Sequence, residues 1–326
     1  MPASLSDDFS TQIVTVFGAS GFVGTQLVQL LAHRGYRIRA AERRPDLAGH
    51  LRPLGDVGQV VPIQANVRDV ESVRRAVAGA VAVVNLVGVP FERGKQRFDP
   101  VHVAGARNVA QAAAAAGVGR LVHMSVLGAA PESPSAFYRS RAQGEEAAFA
   151  AFRNAVVLRP SLIFGPDDSF FNLMGALARA LPVLPLIGGD TKFQPVYVRD
   201  VAEALLVAVE GGVKGARTYE LGGPEIVTHR ELMVRILRDT GYARPLLPVG
   251  ARLGKLLALP MGLLPRPLLT GDQVEQLGID NVVSDSAARE RRTIAAFGIT
   301  PAPMDAVLPS YLWRFRRNGQ FDHIAA

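Results

Sequence analysis

The chain has 326 residues, of which 48% are hydrophobic and 20% are charged, as expected of a globular protein rather than a disordered one. It contains no cysteine, which excludes disulfides, cysteine nucleophiles and Cys-ligated zinc or iron–sulfur clusters. Its six histidines are scattered without metal-ligand spacing, so no metal site is predicted. The formal charge of +7 comes from dispersed arginines without an accompanying aromatic motif, so nucleic acid is not an expected partner.

No signal for export or membrane insertion precedes the first apolar run. Residues 1–12 contain Asp7 and Asp8 and no apolar stretch, so we expect neither a signal peptide nor a transit peptide. No window of about 18 residues is both apolar and free of charge, and we therefore expect no transmembrane helix.

Strand and helix patterns alternate through the first half of the chain. Short β-branched, apolar runs predict strands over 13–17, 37–41, 59–64, 81–87, 120–125 and 155–158. The intervening patterns predict helices over 22–33, 70–78, 101–116 and 142–152. Such alternation builds βαβ units on a parallel sheet, and the apolar run over 81–87 is typical of a buried parallel strand. The predicted fold class is α/β, with a doubly wound parallel sheet of the Rossmann type.

The composition changes at about Ser161, where proline and glycine begin to recur at short intervals. We predict a dinucleotide-binding domain over 10–160, to which 191–210 returns, and a smaller α-rich domain over 161–326. Residues 241–271 are the most unusual segment, because they contain many leucines, five prolines, four basic residues and no acidic residue.

A glycine-rich turn follows the first predicted strand at residues 18–24 (GASGFVG). In a βαβ unit, such glycines allow a tight turn, let the backbone approach a pyrophosphate and let helix and strand pack closely. The helix N-terminus then presents free N–H groups and the positive end of its dipole to the phosphates. The predicted dinucleotide-binding residues of this turn are Gly18, Ser20, Gly21, Phe22, Val23 and Gly24.

The ends of the next strands predict how the rest of a dinucleotide binds. A carboxylate at the end of the second strand binds the ribose 2′-OH, whereas arginine accommodates a 2′-phosphate. The sequence supplies both, as Glu42 followed by Arg43 and Arg44, and the two fork-shaped guanidiniums favour NADPH over NAD(H). A solvated charged loop is the alternative. We expect the adenine edge to meet Asn66 and Val67, and the fourth strand to end beneath the cofactor at Leu86, Val87 and Gly88.

Several stretches resemble the atypical extended short-chain dehydrogenases/reductases. They are the glycine turn, Ser125 at a strand end, and the stretches 140–145 (SRAQGE), 159–166 (RPSLIFGP) and 194–201 (QPVYVRDV). Within that family, residues 51–59 (LRPLGDVGQ) make the chain most similar to the NADPH-binding accessory subunits of respiratory complex I and their bacterial relatives. The resemblance covers residues 12–235. It implies NADPH as the cofactor and adds Ser125, Arg141 and Pro160 to the cofactor-binding residues.

The active enzymes of that family use a Tyr and a Lys four residues apart, and the Lys lowers the Tyr pKa for proton transfer. Here Arg141 stands at the Lys position, and Phe137, which has no hydroxyl, stands at the Tyr position. Tyr138 is adjacent but lies roughly 100° further round the helix, unless a π-bulge realigns it. Ser125, Tyr138 and Arg141 are therefore interpreted as remnants of a catalytic site whose proton-transfer pair is lost.

Three functions are compatible with these observations. The first is an accessory subunit of complex I without activity of its own, in which tightly bound NADPH stabilises the fold and assembly near the quinone site. The alternative is a free NADPH-dependent reductase or epimerase with a lipophilic or nucleotide-linked substrate, in which Tyr138 acts as acid/base with Ser125. A regulator that reads the NADPH/NADP ratio is a third hypothesis.

The first function implies other complex I subunits as partners. It also implies a peripheral position on the cytoplasmic face of the bacterial inner membrane. Residues 241–271 can lie on a membrane surface, pack on a partner or line a hydrophobic pocket, because they are basic and rich in leucine. A core helix with solvated basic residues is the remaining interpretation of this segment.

Overall fold

The computed structural model describes residues 11–262, 264 and 267–321. The described chain folds into two compact units. The first contains the residues up to 125, 140–159 and 201–219, and the second contains 126–139, 160–200 and the residues from 220 onward. The predicted domain boundary at residue 160, with 191–210 returning to the first domain, stays a prediction.

The strands and helices of the described residues are numbered in chain order. The strands are β1 (Ile13–Phe17), β2 (Arg37–Glu42), β3 (Val60–Gln64), β4 (Ala82–Asn85), β5 (Arg120–Met124), β6 (Val156–Pro160), β7 (Ile163–Phe164), β8 (Leu184–Ile187), β9 (Lys192–Phe193), β10 (Val196–Tyr197), β11 (Arg217–Leu221), β12 (Val227–Thr228) and β13 (Leu246–Val249). The helices are α1 (Phe22–His33), α2 (Val70–Val77), α3 (Ala104–Ala115), α4 (Ala136–Ala151), α5 (Phe170–Ala180), α6 (Val198–Glu210), α7 (His229–Thr240), α8 (Ala251–Gly262), α9 (Gly271–Gln276), α10 (Asp285–Arg289), α11 (Met304–Val307) and α12 (Pro309–Leu312). Across the described ranges, no helix combines the length and the apolar character needed to cross a bilayer.

Seven strands form one sheet in the order β11-β6-β5-β4-β1-β2-β3. Strand β1 runs parallel to β2 and to β4, and the pairs β2–β3, β4–β5 and β5–β6 are also parallel. The chain therefore builds the sheet outward in one direction from β1 to β3 and then in the other from β4. The predicted α/β fold with a doubly wound sheet is confirmed. In such sheets, ligands bind outside the carboxyl ends of the strands where the order reverses, which here lies between β1 and β4.

The core of the first unit lies where helices cover the sheet. Val83 of β4 is fully buried, together with Val77 of α2 and Val109 of α3. The one polar side chain inside β1, Thr15, is also fully buried. Its hydroxyl donates to the carbonyl of Ala76 at 2.8 Å, so burial leaves no unsatisfied donor there.

The second unit has its own core. Buried residues of α5, α7 and α12 pack with the short strands, and among them Phe171, Leu232 and Leu312 have almost no exposed surface. A polar contact crosses this core, because the Tyr311 hydroxyl donates to the Asp168 carboxylate at 2.7 Å. Strand β13 pairs with β8 in parallel, and β12 pairs with β9 in antiparallel fashion.

Helix α4 begins at Ala136, six residues before the predicted start. Its first N–H groups are capped by the carboxylate of Asp272, which accepts from Ala136 at 2.7 Å and from Phe137 at 3.3 Å. The Ser135 hydroxyl accepts from the N–H of Tyr138 at 3.3 Å. Asp272 is 136 residues from Ala136 along the chain, so a local pattern cannot reveal this cap. The predicted helix over 101–116 also differs, because α3 is preceded by a π-helical turn at Asp99–Val103.

The segment 241–271 divides into β13 and α8, with residues 263, 265 and 266 outside the described ranges. Val249 is the last residue of β13, and α8 begins two residues later. The leucines of α8 are not in a core, because Leu253, Leu256 and Leu257 expose 51%, 61% and 38% of their surface. The core-helix interpretation of this segment is therefore wrong.

Candidate dinucleotide site

The turn between β1 and α1 requires its glycines for steric reasons. Gly18 has a φ of +80°, a left-handed conformation that favours glycine. A Cβ on Gly24 would lie 2.2 Å from the carbonyl oxygen of Gly18 and 2.6 Å from that of Ala19. Only glycine at position 24 therefore lets α1 begin directly against the end of β1.

The N-terminus of α1 is open to an anion. Gly21 is the N-cap, and in the described part of the chain no side chain caps this helix and no acidic residue lies in its first turn. A helix N-terminus without such partners presents free N–H groups and the positive end of the dipole. The turn can therefore hold a pyrophosphate, as its sequence predicts.

A cleft of about 230 Å³ lies at the carboxyl ends of β1 to β4. Nine of the predicted cofactor-binding residues line it, namely Gly18, Ser20, Gly21, Arg43, Asn66, Val67, Leu86, Val87 and Gly88. Sequence reasoning missed Arg68, Val89, Gln96 and Val101, which line it as well. Arg68 and Val89 directly follow predicted residues, so the strand ends were a usable signal. Gln96 and Val101 reach the cleft through the connection from β4 to α3, which carries no local signal.

The other predicted binding residues lie outside that lining. Phe22, Val23 and Gly24 form the first turn of α1, where Val23 and Gly24 are buried behind the glycine turn. Pro160 is the last residue of β6 and belongs to the second unit. Their contacts with a cofactor stay predictions.

The acidic and basic side chains at the end of β2 have different surroundings. The Glu42 carboxylate accepts a hydrogen bond of 2.6 Å from the backbone N–H of Ser20, inside the glycine turn. Arg43 lines the cleft, whereas Arg44 is exposed and pairs with Asp46 at 3.0 Å. The Arg44 guanidinium also lowers the pKa of the Asp46 carboxyl through a hydrogen bond. Of the two predicted phosphate-binding arginines, the structure thus brings one to the cleft.

A buried cation packs against Gly88, which lines the cleft at the end of β4. Arg141 is 6% exposed, and its guanidinium packs on the backbone of Gly88, where an added Cβ would lie 1.9 Å from Nη2. Its Nη1 donates to the carbonyl of Met124 at 3.4 Å. Burial lowers the pKa of Arg141 to about 10, so the side chain stays charged at neutral pH.

Ser125 follows Met124 at the end of β5 and is fully buried. Among the described residues, its hydroxyl has no hydrogen-bond partner. A buried hydroxyl is normally satisfied, and one without a partner is a candidate for contact with a ligand. This orphaned group and the open helix N-terminus at the glycine turn both fit a dinucleotide that spans the carboxyl edge of the sheet.

Two neutral histidines, His102 and His123, are buried next to the end of β4. The Nε2 of His102 accepts from the N–H of Val89 at 3.0 Å, so its Nδ1 carries the proton and donates to the Ser140 hydroxyl at 2.8 Å. Burial is the main cause that lowers the pKa of His102 to about 2. His123 contacts the Asn85 amide at 3.2 Å, and burial lowers its pKa to about 3. Because both rings are uncharged, they add no positive charge to that of Arg141.

One carboxylate lies near Arg141 along α4. Glu145 is 5% exposed and accepts two hydrogen bonds from Arg159, at 2.8 and 2.6 Å. This bidentate geometry is the strong form of an arginine–carboxylate pair. Its charge raises the pKa of Arg141, against the larger effect of burial.

Among the described residues, the surroundings of Tyr138 do not activate its hydroxyl. Its ring packs on Gly128, where an added Cβ would lie 3.0 Å from Cζ. Burial raises its pKa to about 12, although a hydrogen bond with Asn281 acts in the opposite direction. Helix α4 is a regular α-helix from Ala136 to Ala151, so the π-bulge considered as a way to realign Tyr138 is absent from it. Four residues further along this helix stands Ala142, not a lysine.

Neither a metal site nor a second groove replaces this cleft as the candidate site. Within the described ranges, no three His, Asp or Glu side chains are grouped so that they could hold a metal ion. A larger groove of about 600 Å³ lies between α3 and α4, lined by residues such as Arg107, Gln111 and Glu146. It contains none of the predicted binding residues and no glycine turn, so the smaller cleft is the candidate site.

Comparison with known proteins agrees with this assignment. A family profile described as the NAD dependent epimerase/dehydratase family matches residues 14–222. The chain is 34% identical to the mitochondrial NADH dehydrogenase (ubiquinone) 1 alpha subcomplex subunit 9 of Arabidopsis thaliana, over 94% of this chain and 79% of that protein. It is 30% identical to the mitochondrial NADH-ubiquinone oxidoreductase 40 kDa subunit of Neurospora crassa, over 94% of this chain and 80% of that protein.

Among solved structures, an Escherichia coli NADPH-dependent quinone oxidoreductase complexed with NADPH superposes with a TM-score of 0.72. It is 19% identical and covers 92% of this chain and 99% of its own, which shows a shared fold. The matched residues 14–222 contain the glycine turn and nearly all of the seven-stranded sheet. The chain therefore belongs to the NAD dependent epimerase/dehydratase family, and its cleft is the candidate site for a nicotinamide dinucleotide.

Proposed function

We propose that this chain is an accessory subunit of NADH:ubiquinone oxidoreductase, respiratory complex I, that holds NADPH tightly and has no independent activity. The observation that carries the proposal is the similarity to two named subunits of that enzyme over 94% of the chain, which extends through the second unit. The expected partners are other subunits of the complex. The proposed location is peripheral, near the quinone site, on the cytoplasmic face of a bacterial inner membrane.

The charges around the cleft favour NADPH over NADH. Arg43 and Arg68 both line it, against the single carboxylate of Glu42. Glu42 already accepts the N–H of Ser20, so its negative charge is partly satisfied by the turn. Two guanidiniums and one carboxylate leave a net positive charge, which suits a dianionic 2′-phosphate better than a diol.

The region near Arg141 supports a structural use of the cofactor. When bound, NADPH supplies a hydride donor, and reduction of a carbonyl would also need a positioned proton donor. In this chain, Arg141 stands at the position of the family's Lys and Phe137 at the position of its Tyr. The adjacent Tyr138 has a raised pKa. Ser125 and Arg141 then act as binding groups that orient the nicotinamide end. These observations count against the alternative of a free reductase or epimerase.

Tight binding can justify such a site without catalysis. A ligand that binds only the native state stabilises it by RT ln(1 + [L]/Kd), which is about 4 kcal/mol at a thousandfold excess over Kd. The cofactor would join the glycine turn, the β2 end and the β4–β5 end of one sheet. Its loss would therefore weaken the first unit and the assembly that depends on it.

The test is to purify the full chain gently from its native membranes. Bound nucleotide is released with acid or base, as its redox form requires, and is identified alongside the co-purifying chains. We expect stoichiometric NADPH that resists dialysis and arrives with respiratory-chain subunits. A protein that is recovered alone with exchangeable NADP(H), and that turns over carbonyl or sugar-nucleotide substrates, would refute the proposal. In that case Tyr138→Phe is the variant that shows whether Tyr138 transfers the proton.

A further inference from the structure

Helix α8 exposes a row of leucines that the cofactor site does not explain. We call the side chains of Leu253, Leu256, Leu257 and Leu259 the leucine face. They expose 51%, 61%, 38% and 67% of their surface. A single exposed leucine is ordinary, but four within seven positions of one helix form a patch that usually marks an interaction site.

The orientation of α8 is the reverse of that of a typical surface helix. The residues it buries are the small ones, Gly254 and Ala258. A Cβ on Gly254 would lie 3.0 Å from Cδ1 of Ile187, so the inner face has no room for a large side chain. At about 100° per residue, the leucine face is centred about 200° away from this buried pair. The fold therefore turns the apolar face of α8 outward although small residues suffice for its packing.

Exposed leucines also occur before and after α8 along the chain. Leu247 on β13 is 57% exposed, and Leu264 and Leu268 after the helix are 44% and 45% exposed. On β13, Leu247 is paired with Pro185 of β8, which is exposed as well. The segment from 247 to 268 thus holds seven of the 18 exposed large hydrophobic residues in the described chain. Such concentration is not expected of scattered surface residues.

The charges next to the leucine face are basic. On the helical wheel, Leu259 lies between Lys255 and Arg252, so both basic residues are on the Leu259 side of the leucine face. Residues 241–271 contain no acidic residue. Lys255 forms an ion pair with Glu275 of α9, so its charge is partly compensated. The other acidic residue of α9, Asp272, is held inward by the N-terminus of α4. The Leu259 side of the leucine face therefore carries a small positive excess from Arg252.

These features favour a lipid surface over a protein as the occupant. Protein interfaces are enriched in aromatic residues, Met and Arg, with hydrogen bonds in between. The leucine face is aliphatic, and both basic residues of α8 lie on its Leu259 side. A helix with that division lies in the interface of a bilayer, where leucines enter the acyl boundary and cationic side chains reach the phosphates.

We propose that the leucine face of α8 inserts into the headgroup–acyl boundary of a membrane that contains anionic lipid. The insertion would hold the second unit at the bilayer surface. The inference names a partner for the proposed complex I subunit and rests on that function only for the membrane at which the chain works.

The experiment measures flotation of the full, nucleotide-loaded chain with vesicles of phosphatidylcholine alone and of phosphatidylcholine with phosphatidylglycerol. The variant is Leu256→Gln with Leu259→Gln. The matched control is Leu47→Gln with Val57→Gln, because these side chains are 64% and 107% exposed but lie in the first unit. Unfolding midpoints of both variants should equal that of the wild type, since all four side chains are exposed.

We expect the wild type to float with the anionic vesicles more than with the neutral ones. The α8 variant should lose at least about tenfold in partition coefficient, because each leucine that leaves the hydrocarbon costs about that factor. The control should bind as the wild type does. Absent wild-type binding to anionic vesicles, or equal binding by the α8 variant, overturns the proposal.

Co-purification from native membranes separates this proposal from the function above. If the wild type does not float and the α8 variant loses co-purifying respiratory subunits, the leucine face binds a protein and the lipid proposal is refuted. If the wild type floats through its leucine face but carries no respiratory subunits, the lipid proposal is supported and the proposed function fails.

Discussion

Two buried serines of the first unit offer a paired test of the cofactor site. Ser125 is fully buried, and its hydroxyl has no hydrogen-bond partner among the described residues. Ser140 is 6% exposed, and its hydroxyl is hydrogen-bonded to Nδ1 of His102 at 2.8 Å. Replacement of each serine by alanine should therefore change the free energy of unfolding of the nucleotide-free protein in opposite directions.

The magnitudes follow from the cost of an unsatisfied buried polar group, about 1–3 kcal/mol. Ser125→Ala removes such a group and should stabilise the nucleotide-free protein by up to that amount. Ser140→Ala removes the buried hydrogen bond of 2.8 Å between the Ser140 hydroxyl and Nδ1 of His102, and should destabilise by about the same amount. With NADPH bound, Ser125 should gain a partner. Ser125→Ala should then weaken NADPH binding about two- to tenfold, which is the net value of one hydrogen bond.

Urea unfolding of the stripped proteins and calorimetric titration with NADPH measure the two effects separately. If Ser125→Ala lowers the free energy of unfolding of the stripped protein, the hydroxyl is already satisfied and the argument from an orphaned group is refuted. If stability rises but NADPH affinity is unchanged, the cofactor does not reach Ser125. Ser140→Ala shows that the assay detects the loss of one buried hydrogen bond.

Three further predictions follow from the same geometry. Gly24→Ala should destabilise the protein by at least about 2 kcal/mol and abolish NADPH binding, because the new Cβ overlaps the turn backbone. Gly49→Ala is the control, because no atom lies within 4 Å of its new Cβ. It should leave the free energy of unfolding in urea and the NADPH affinity in titration unchanged. Arg43→Ala should lower the affinity for NADPH about tenfold and leave the affinity for NADH nearly unchanged. Arg44→Ala should alter neither affinity, since Arg44 pairs with Asp46. Equal losses of NADPH affinity in the two variants would contradict the placement of the 2′-phosphate. His102 and His123 have pKa values lowered from 6.5 to about 2 and about 3, so the unfolded chain binds more protons below pH 6.5. Their stabilising contribution is complete above that pH and should fall by up to about 2 kcal/mol each between pH 7 and pH 5. In urea unfolding at both pH values, His123→Gln should remove about half of the fall in the free energy of unfolding that the two histidines cause between pH 7 and pH 5. His33→Gln is the exposed control.

The elements that local patterns predict well are those with strong local signals. The first strand and helix occur at the predicted residues, 13–17 and 22–33, because a glycine turn separates a β-branched run from a helical pattern. The same turn carries the reasons for its glycines, since positive φ and close backbone approach exclude other residues. The predicted loss of the Tyr/Lys pair also rests on a local pattern, because it depends only on Phe137 and Arg141 and on the alignment of one motif.

Long-range contacts account for most of the differences between the sequence-based predictions and the structure. Helix α4 starts early because Asp272, far along the chain, caps it. His102 is a buried neutral support only because the fold brings Ser140 and Val89 to its two ring nitrogens. Likewise, the sequence shows three consecutive charged residues where β2 ends, but only the tertiary structure assigns Glu42 to the turn, Arg43 to the cleft and Arg44 to Asp46.

By itself, the sequence determined the α/β class, the parallel sheet, the dinucleotide turn and the family, since periodicity, glycine placement and short motifs are properties of neighbouring residues. It also showed that residues 241–271 are leucine-rich and free of acid. Which way those leucines face was decided by tertiary packing, because Gly254 and Ala258 are the residues that fit against Ile187 and Val274. A helical pattern records which side chains share a face, but the neighbours that a helix packs against determine which face is buried.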